Sequence, residues 1–194
     1  VDRGAAIVIE FSERMAGESV ERALFVTPYP DPYPRLDWLR GDTRLRLVFD
    51  EPLDSSRTYI ITIGTEARDA RNNRLASAHS FAFATGPHIS AGRIIGAVWD
   101  TDLRPAFGAS VGLYRLREQD DGPDPSVTYP YYTTQVGQDG RFSFGYLSAG
   151  RYRVFAWRDR EADELIGREE SAAAPVLDMA LPEGAIASLP KMRL

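Results

Sequence analysis

DGRFSFGYLSAGRYRVFAWRDREADELIGREE, running from Asp139 to Glu170, is the stretch whose reading decides the fold. It opens on Asp139-Gly140, a turn signal, because glycine takes positive φ without steric cost. Phe142 and Phe144 then alternate with polar residues, which is the period of a strand with one buried face. Ala149-Gly150 is a second turn. Arg151 to Trp157 alternates again, with Tyr152, Val154 and Ala156 on one face and Arg151, Arg153, Phe155 and Trp157 on the other. The stretch therefore predicts a β-hairpin of a sandwich that runs into an acidic loop, Asp159 to Glu170.

Outward from this stretch the same punctuation repeats. Strands are predicted over Ala5 to Phe11, Leu24 to Thr27, Arg35 to Arg40, Thr43 to Phe49, Thr58 to Ile63 and His79 to Ala84, with one helical turn over Glu18 to Ala23. Pro28 to Pro34 places proline at every second residue, which removes backbone donors and predicts an extended loop or protected edge. Asp69, in the loop Ala67 to Arg74, is expected to bond nearby backbone amides. About seven short strands with turn signals every 8–12 residues is the pattern of an immunoglobulin-like sandwich. Thr85 to Gly92, small and poor in apolar side chains, marks a boundary near Pro87.

Beyond it, strands are predicted over Arg93 to Trp99, Ala109 to Leu116, Val127 to Val136 (interrupted by Pro130, hence an edge), Val176 to Ala180 and Ile186 to Arg193. The fold class is all-β: two tandem β-sandwich domains, residues 1–86 Ig-like and 87–194 a second, Greek-key sandwich. No internal repeat links the halves.

Composition narrows the function. Of 194 residues, 43 % are hydrophobic, enough for real cores. There is no cysteine, so disulfides and thiolate metal sites are excluded. The net charge is −5, and neither half is basic: residues 1–86 carry 11 basic and 13 acidic side chains, residues 87–194 carry 12 and 15. Nucleic acid is therefore not the expected partner. No apolar run approaches the roughly 20 residues of a membrane helix. The chain starts mid-pattern at Val1, which predicts a fragment of a longer precursor.

Two family patterns are visible. Residues 5–86 resemble the bacterial Ig-like domain of surface and envelope proteins, through Ile9 to Met15, Leu45 to Phe49 with Pro52-Leu53, Thr58-Tyr59 with Ile61, Ile63 and Gly64, then Asp69, Asn73 and Phe81 to Gly86. Residues 92–170 resemble a carboxypeptidase-regulatory-like, transthyretin-like domain, through Gly92 to Gly96, Pro105, Gly108-Ala109, Val111, Leu113-Tyr114, Asp139 to Phe142 and Ala149 to Tyr152. The tandem is similar to envelope lipoproteins of the Bacteroidetes group. That resemblance implies a non-catalytic module, exported to the periplasm, outer membrane or cell surface, with a protein or glycan partner there.

Four features carry candidate chemistry. The loop Asp159 to Glu170 resembles a calcium loop, with Asp159, Glu161, Asp163 and Glu170 at positions 1, 3, 5 and 12 and Leu165 offering a carbonyl. Glu164 stands where glycine is usual, and a solvated acidic loop is the plainer alternative. Calcium is the one cofactor these residues suggest; none is required. Gly108-Ala-Ser110-Val-Gly112 spells G-x-S-x-G but sits inside a predicted strand, without the elbow that exposes a nucleophile. His79 and His88 make a poor zinc pair. Tyrosines and one tryptophan gather in two places, Tyr29, Tyr33 and Trp38, and Tyr129, Tyr131 and Tyr132. Rings on proline-stiffened loops suit protein or glycan recognition; equally, they suit the covering of a sandwich end or domain interface. The expected function is a non-enzymatic structural or interaction module, and the alternative is a carbohydrate-binding accessory module of a secreted enzyme.

Overall fold

A computed structural model describes residues 6–30, 32–55, 57–117, 122–161, 163–174 and 178–194. Its strands are β1 (Ile7–Glu10), β2 (Leu24–Thr27), β3 (Arg35–Leu39), β4 (Arg44–Val48), β5 (Thr58–Ile63), β6 (His79–Ala84), β7 (Gly92–Trp99), β8 (Ser110–Leu116), β9 (Tyr132–Gln135), β10 (Arg141–Leu147), β11 (Gly150–Trp157), β12 (Ala172–Ala173), β13 (Met179–Leu181), β14 (Ile186–Ser188) and β15 (Met192–Arg193). One short helix, α1 (Gly17–Arg22), interrupts them. The chain is all-β, as its periodicity predicts.

The first half folds as two antiparallel sheets, β1-β4-β3 and β2-β5-β6. Alternation places Leu45 and Leu47 of β4 and Tyr59, Ile61 and Ile63 of β5 in one core, which α1 closes with Val20. Glu18 in the first turn of α1 and Arg22 in the last complement its dipole. Asp69 does what its loop predicts. Its Oδ1 accepts the N–H groups of Arg71 and Asn73, each at 2.8 Å, and its Oδ2 accepts from Asn73 Nδ2 at 2.7 Å.

The second half has one sheet of β10-β7-β14 and another of β12-β11-β8-β9, with β15 also on β7 and β13 also on β11. Ile94, Val98, Val111, Leu113, Phe144, Tyr152 and Val154 fill the space between them. Val176 lies outside the described residues. The closing stretch is two short strands rather than one, because Pro190 cannot donate to a ladder; both run parallel to β7.

Two sequence readings are corrected. β10 and β11 do not form a hairpin. β10 pairs with β7 and β11 with β8, so Ser148-Ala149 carries the chain from one sheet to the other. A bulge between Phe144 and Leu147, with Tyr146 at φ 60°, starts the crossing, and Tyr152 donates to the Ser148 carbonyl at 2.8 Å to pin it. Period two cannot separate these cases, since facing sheets and paired strands both bury every second residue. The strand expected over Val127 to Val136 survives only as β9. Val127 and Thr128 donate instead to the Asp124 carbonyl in a turn, and the Asp124 carboxylate holds Ser126 N–H at 2.9 Å.

The halves meet along β5 and β9. β5 is buried on both faces: Ile60, at 2 % exposure, points away from its own core and joins that of the second sandwich. Thr62 donates to the Tyr132 hydroxyl (3.3 Å), Glu66 N–H to Gln135 Oε1 (3.0 Å) and Gln138 N–H to the Ala76 carbonyl (2.8 Å). Gly64 is needed here, because a Cβ would collide with the Gln135 amide. β9, an edge strand, is thereby buried over its whole length.

Candidate binding cleft

The junction opens at one end into a crevice. Tyr29 and Tyr33 reach it from the proline loop of the first sandwich, their rings 5.3 Å apart, and Tyr129, Pro130 and Tyr131 reach it from the second. The two aromatic groups that are separate in sequence thus share one wall set. Tyr29 is 66 % exposed and Tyr129 64 %, while the half-buried Tyr33 is anchored by its hydroxyl to the Leu24 carbonyl at 3.0 Å. Burial and the nearby Glu164 carboxylate push the Tyr33 phenol well above its usual range. Tyr132, 1 % exposed, is closed inside the junction with its ring edge-on to Phe144. Trp38 stands apart from the crevice: it stacks on Phe11 at 5.8 Å and donates to Glu21 at 2.8 Å.

Beside the crevice, and sharing Tyr29, Tyr33 and Glu164 with it, lies a hollow of about 340 Å3. Its charged lining is Glu21, Glu66, Asp159 and Glu164 against Arg22. Glu66 is held by Arg74 at 3.0 Å and Arg68 at 3.8 Å. Gly108 packs so closely against Glu66 that a Cβ there would approach Oε1 to 2.6 Å.

The loop Asp159 to Glu170 closes over this side. Its carboxylates serve the loop's own amides. Asp159 accepts from Glu164 N–H (3.3 Å), Asp163 from Leu165 N–H (2.9 Å), and Glu170 from Arg160 N–H (2.6 Å) and Gly167 N–H (2.9 Å). Glu161 is exposed. Among the described residues no three acidic or imidazole side chains converge to hold a metal.

Position 6 of the loop does need a glycine-like backbone, and Glu164 supplies it at φ 62°, at a cost of about 1 kcal/mol or more for a side chain with a Cβ. Its carboxylate turns inward and accepts the Thr133 hydroxyl at 2.6 Å. Desolvation raises its pKa above the usual carboxylate range, Thr133 partly offsets that, and Asp159 and Asp163 add to the rise. In the sequence Glu164 shows only as a departure from a calcium loop, and that departure is the one signal that marks it.

The remaining motifs do not build a site. Ser110 begins β8 within the sheet, opposite Gln135, with no elbow and no helix after it. His79 begins β6 opposite Ile63, and His88 is exposed between the sandwiches. No described helix is long and apolar enough to cross a membrane.

Comparison with known proteins agrees with the reading of the first half. Residues 1–85 match the family model of the bacterial Ig-like domain. No curated protein matches the chain. Among solved structures it is similar to native alpha-2-macroglobulin from Escherichia coli spanning domains MG0-NIE-MG1, at 16 % identity over 89 % of this chain and 67 % of that one, with a TM-score of 0.36. It is also similar to a streptococcal ancillary pilin, at 9 % identity over 82 % of this chain and 50 % of that one, with a TM-score of 0.34. A third similarity is to the group B streptococcus pilus 2b backbone protein, at 11 % identity over 99 % and 94 %, with a TM-score of 0.28. The chain spans half the length of the ancillary pilin.

Proposed function

We propose that this chain is a non-enzymatic structural and interaction module of an exported bacterial cell-envelope protein. In this reading an Ig-like sandwich is followed by a carboxypeptidase-regulatory-like, transthyretin-like one, and the two are docked as one rigid spacer that presents a recognition cleft at their junction. One observation carries it: Ile60 of the first half is buried in the core of the second, flanked by hydrogen bonds from Thr62, Glu66 and Gln138. A flexible tether between independent domains has no use for such a contact. The match of residues 1–85 to the bacterial Ig-like domain supports the envelope setting. Calcium is not needed for this reading, since the 159–170 carboxylates already cap the loop's amides.

Backbone 15N relaxation tests the rigid spacer. One rotational correlation time shared by both halves is expected; two distinct times would overturn it. The second reading, a carbohydrate-binding accessory module, is favoured by the exposed rings of Tyr29 and Tyr129, and a glycan array separates it from a protein-binding module.

A further inference from the structure

We propose that the junction cleft binds a cationic side chain, arginine or lysine, carried by a partner protein, with Glu164 as its counter-ion and Tyr29 and Tyr129 as its walls. The proposal deepens the reading of the chain as an interaction module and rests on it.

The argument starts from what Glu164 costs. It occupies a backbone conformation made for glycine, at φ 62°, and its carboxylate is drawn partly out of water against Thr133. Either feature alone destabilises a fold, and glycine at this position would relieve both. Glu164 is partly buried, and a carboxylate drawn from water is favoured by a nearby cation. Among the described residues no arginine or lysine pairs with this one, although 22 of the chain's 23 basic residues are arginine, many of them paired with other carboxylates nearby. Its side-chain partner is the hydroxyl of Thr133, itself buried in β9. That bond aims the carboxylate without neutralising it.

The surroundings match a cation in two further ways. Tyr29 and Tyr129 stand exposed on either side of the crevice, one from each sandwich, and ring faces attract guanidinium and ammonium groups. Among the described residues the adjoining hollow is lined by Glu21, Glu66, Asp159 and Glu164 against Arg22, so its field favours positive charge even after Glu66 is discounted for its pairing with Arg74. The crevice itself encloses only about 30 Å3, too little for a sugar ring, and shares Tyr29, Tyr33 and Glu164 with the larger hollow beside it. Its walls come from both halves, so the site exists only while the halves are docked.

The test is an NMR titration of the full chain with N-acetyl-arginine amide, N-acetyl-lysine amide, the neutral N-acetyl-glutamine amide and a neutral oligosaccharide, chitohexaose. Shifts at Tyr29, Tyr33, Tyr129 and Thr133 with the two cations and not with the glutamine amide are expected. Glu164→Gln, which keeps the Thr133 bond and removes the charge, weakens the cation about tenfold or more. Tyr29→Ala and Tyr129→Ala, at exposed positions that leave folding intact, each weaken it about threefold. The proposal is overturned if neither cation shifts these resonances, if Glu164→Gln binds as tightly as the parent chain, or if chitohexaose shifts them and the cations do not. Loss of cation binding with a single shared correlation time would sink this proposal alone and leave the rigid module standing.

Discussion

Glu164 and Asp69 are carboxylates under opposite constraints, and pH separates them. Desolvation raises the pKa of Glu164 in the fold; Asp159 and Asp163 push it further, and the Tyr33 and Tyr114 phenols face the same carboxylate from the other elements. A raised carboxylate contributes stability below its unfolded value of about 4.3 and loses it as pH rises through the folded one, so at pH 7 Glu164 is a burden. Glu164→Gln is therefore expected to raise the melting temperature at pH 7, and the gain should vanish near pH 4. A variant that melts lower at neutral pH would show the charge to be satisfied in place. Asp69 has the other sign: bonds from the Asn73 side chain and backbone, then from Arg71, hold its carboxyl below the usual range. Its contribution is present above about pH 4 and is lost as pH falls through the lowered value. Acid titration followed by circular dichroism should show Asp69→Asn flattening the stability profile at the acid end and nowhere else.

Among the elements, β5 bears most. Its inward residues hold the first core and Ile60 plugs the second, so Ile60→Ala should cost about 2–4 kcal/mol in guanidinium unfolding, a core-sized loss from a residue on the outer face of its own sheet. A loss below about 1 kcal/mol would mean that the junction yields easily. The sequence made β2, β5 and β6 legible to the residue, because β-branched and aromatic runs between turn signals fix a strand whatever lies beside it. It did not make legible which strand pairs with which: β10 and β11 read as a hairpin and lie in opposite sheets, because burial alternates identically in both arrangements. In the loop after β11, acidic spacing does not say where the oxygens point; those of Asp163 and Glu170 accept backbone N–H groups. Melting in millimolar calcium and in EDTA should differ by no more than about one degree, whereas an ion held at a hundredfold excess over its Kd would add about 2.7 kcal/mol.

At the scale of the whole molecule the joint between the sandwiches decides behaviour, and the joint was least legible. Composition marked residues 85–92 as a boundary, but the residues that join the halves, Ile60, Thr62, Glu66, Tyr132 and Gln135, are scattered over 76 positions and look like ordinary strand and turn residues. The aromatic groups show the same thing: Tyr29 and Tyr129 become neighbours of one crevice only through docking. The joint is also testable with the chain's own probes. Trp38 lies in the first sandwich, Trp99 and Trp157 in the second. Fluorescence from Trp38→Phe therefore reports the second half alone, and from Trp99→Phe/Trp157→Phe the first. If Ile60 and the hydrogen bonds around it couple the halves, the unfolding curves of the two reporters coincide in guanidinium and match circular dichroism of the parent chain. Ile60→Asp buries a charge in the second core and removes the plug, so in that background the two curves should separate, with the half that lacks the other's support unfolding at lower denaturant. Separate curves in the parent chain would make the halves independent domains in loose contact, and a cleft whose walls come from both would then have no fixed shape.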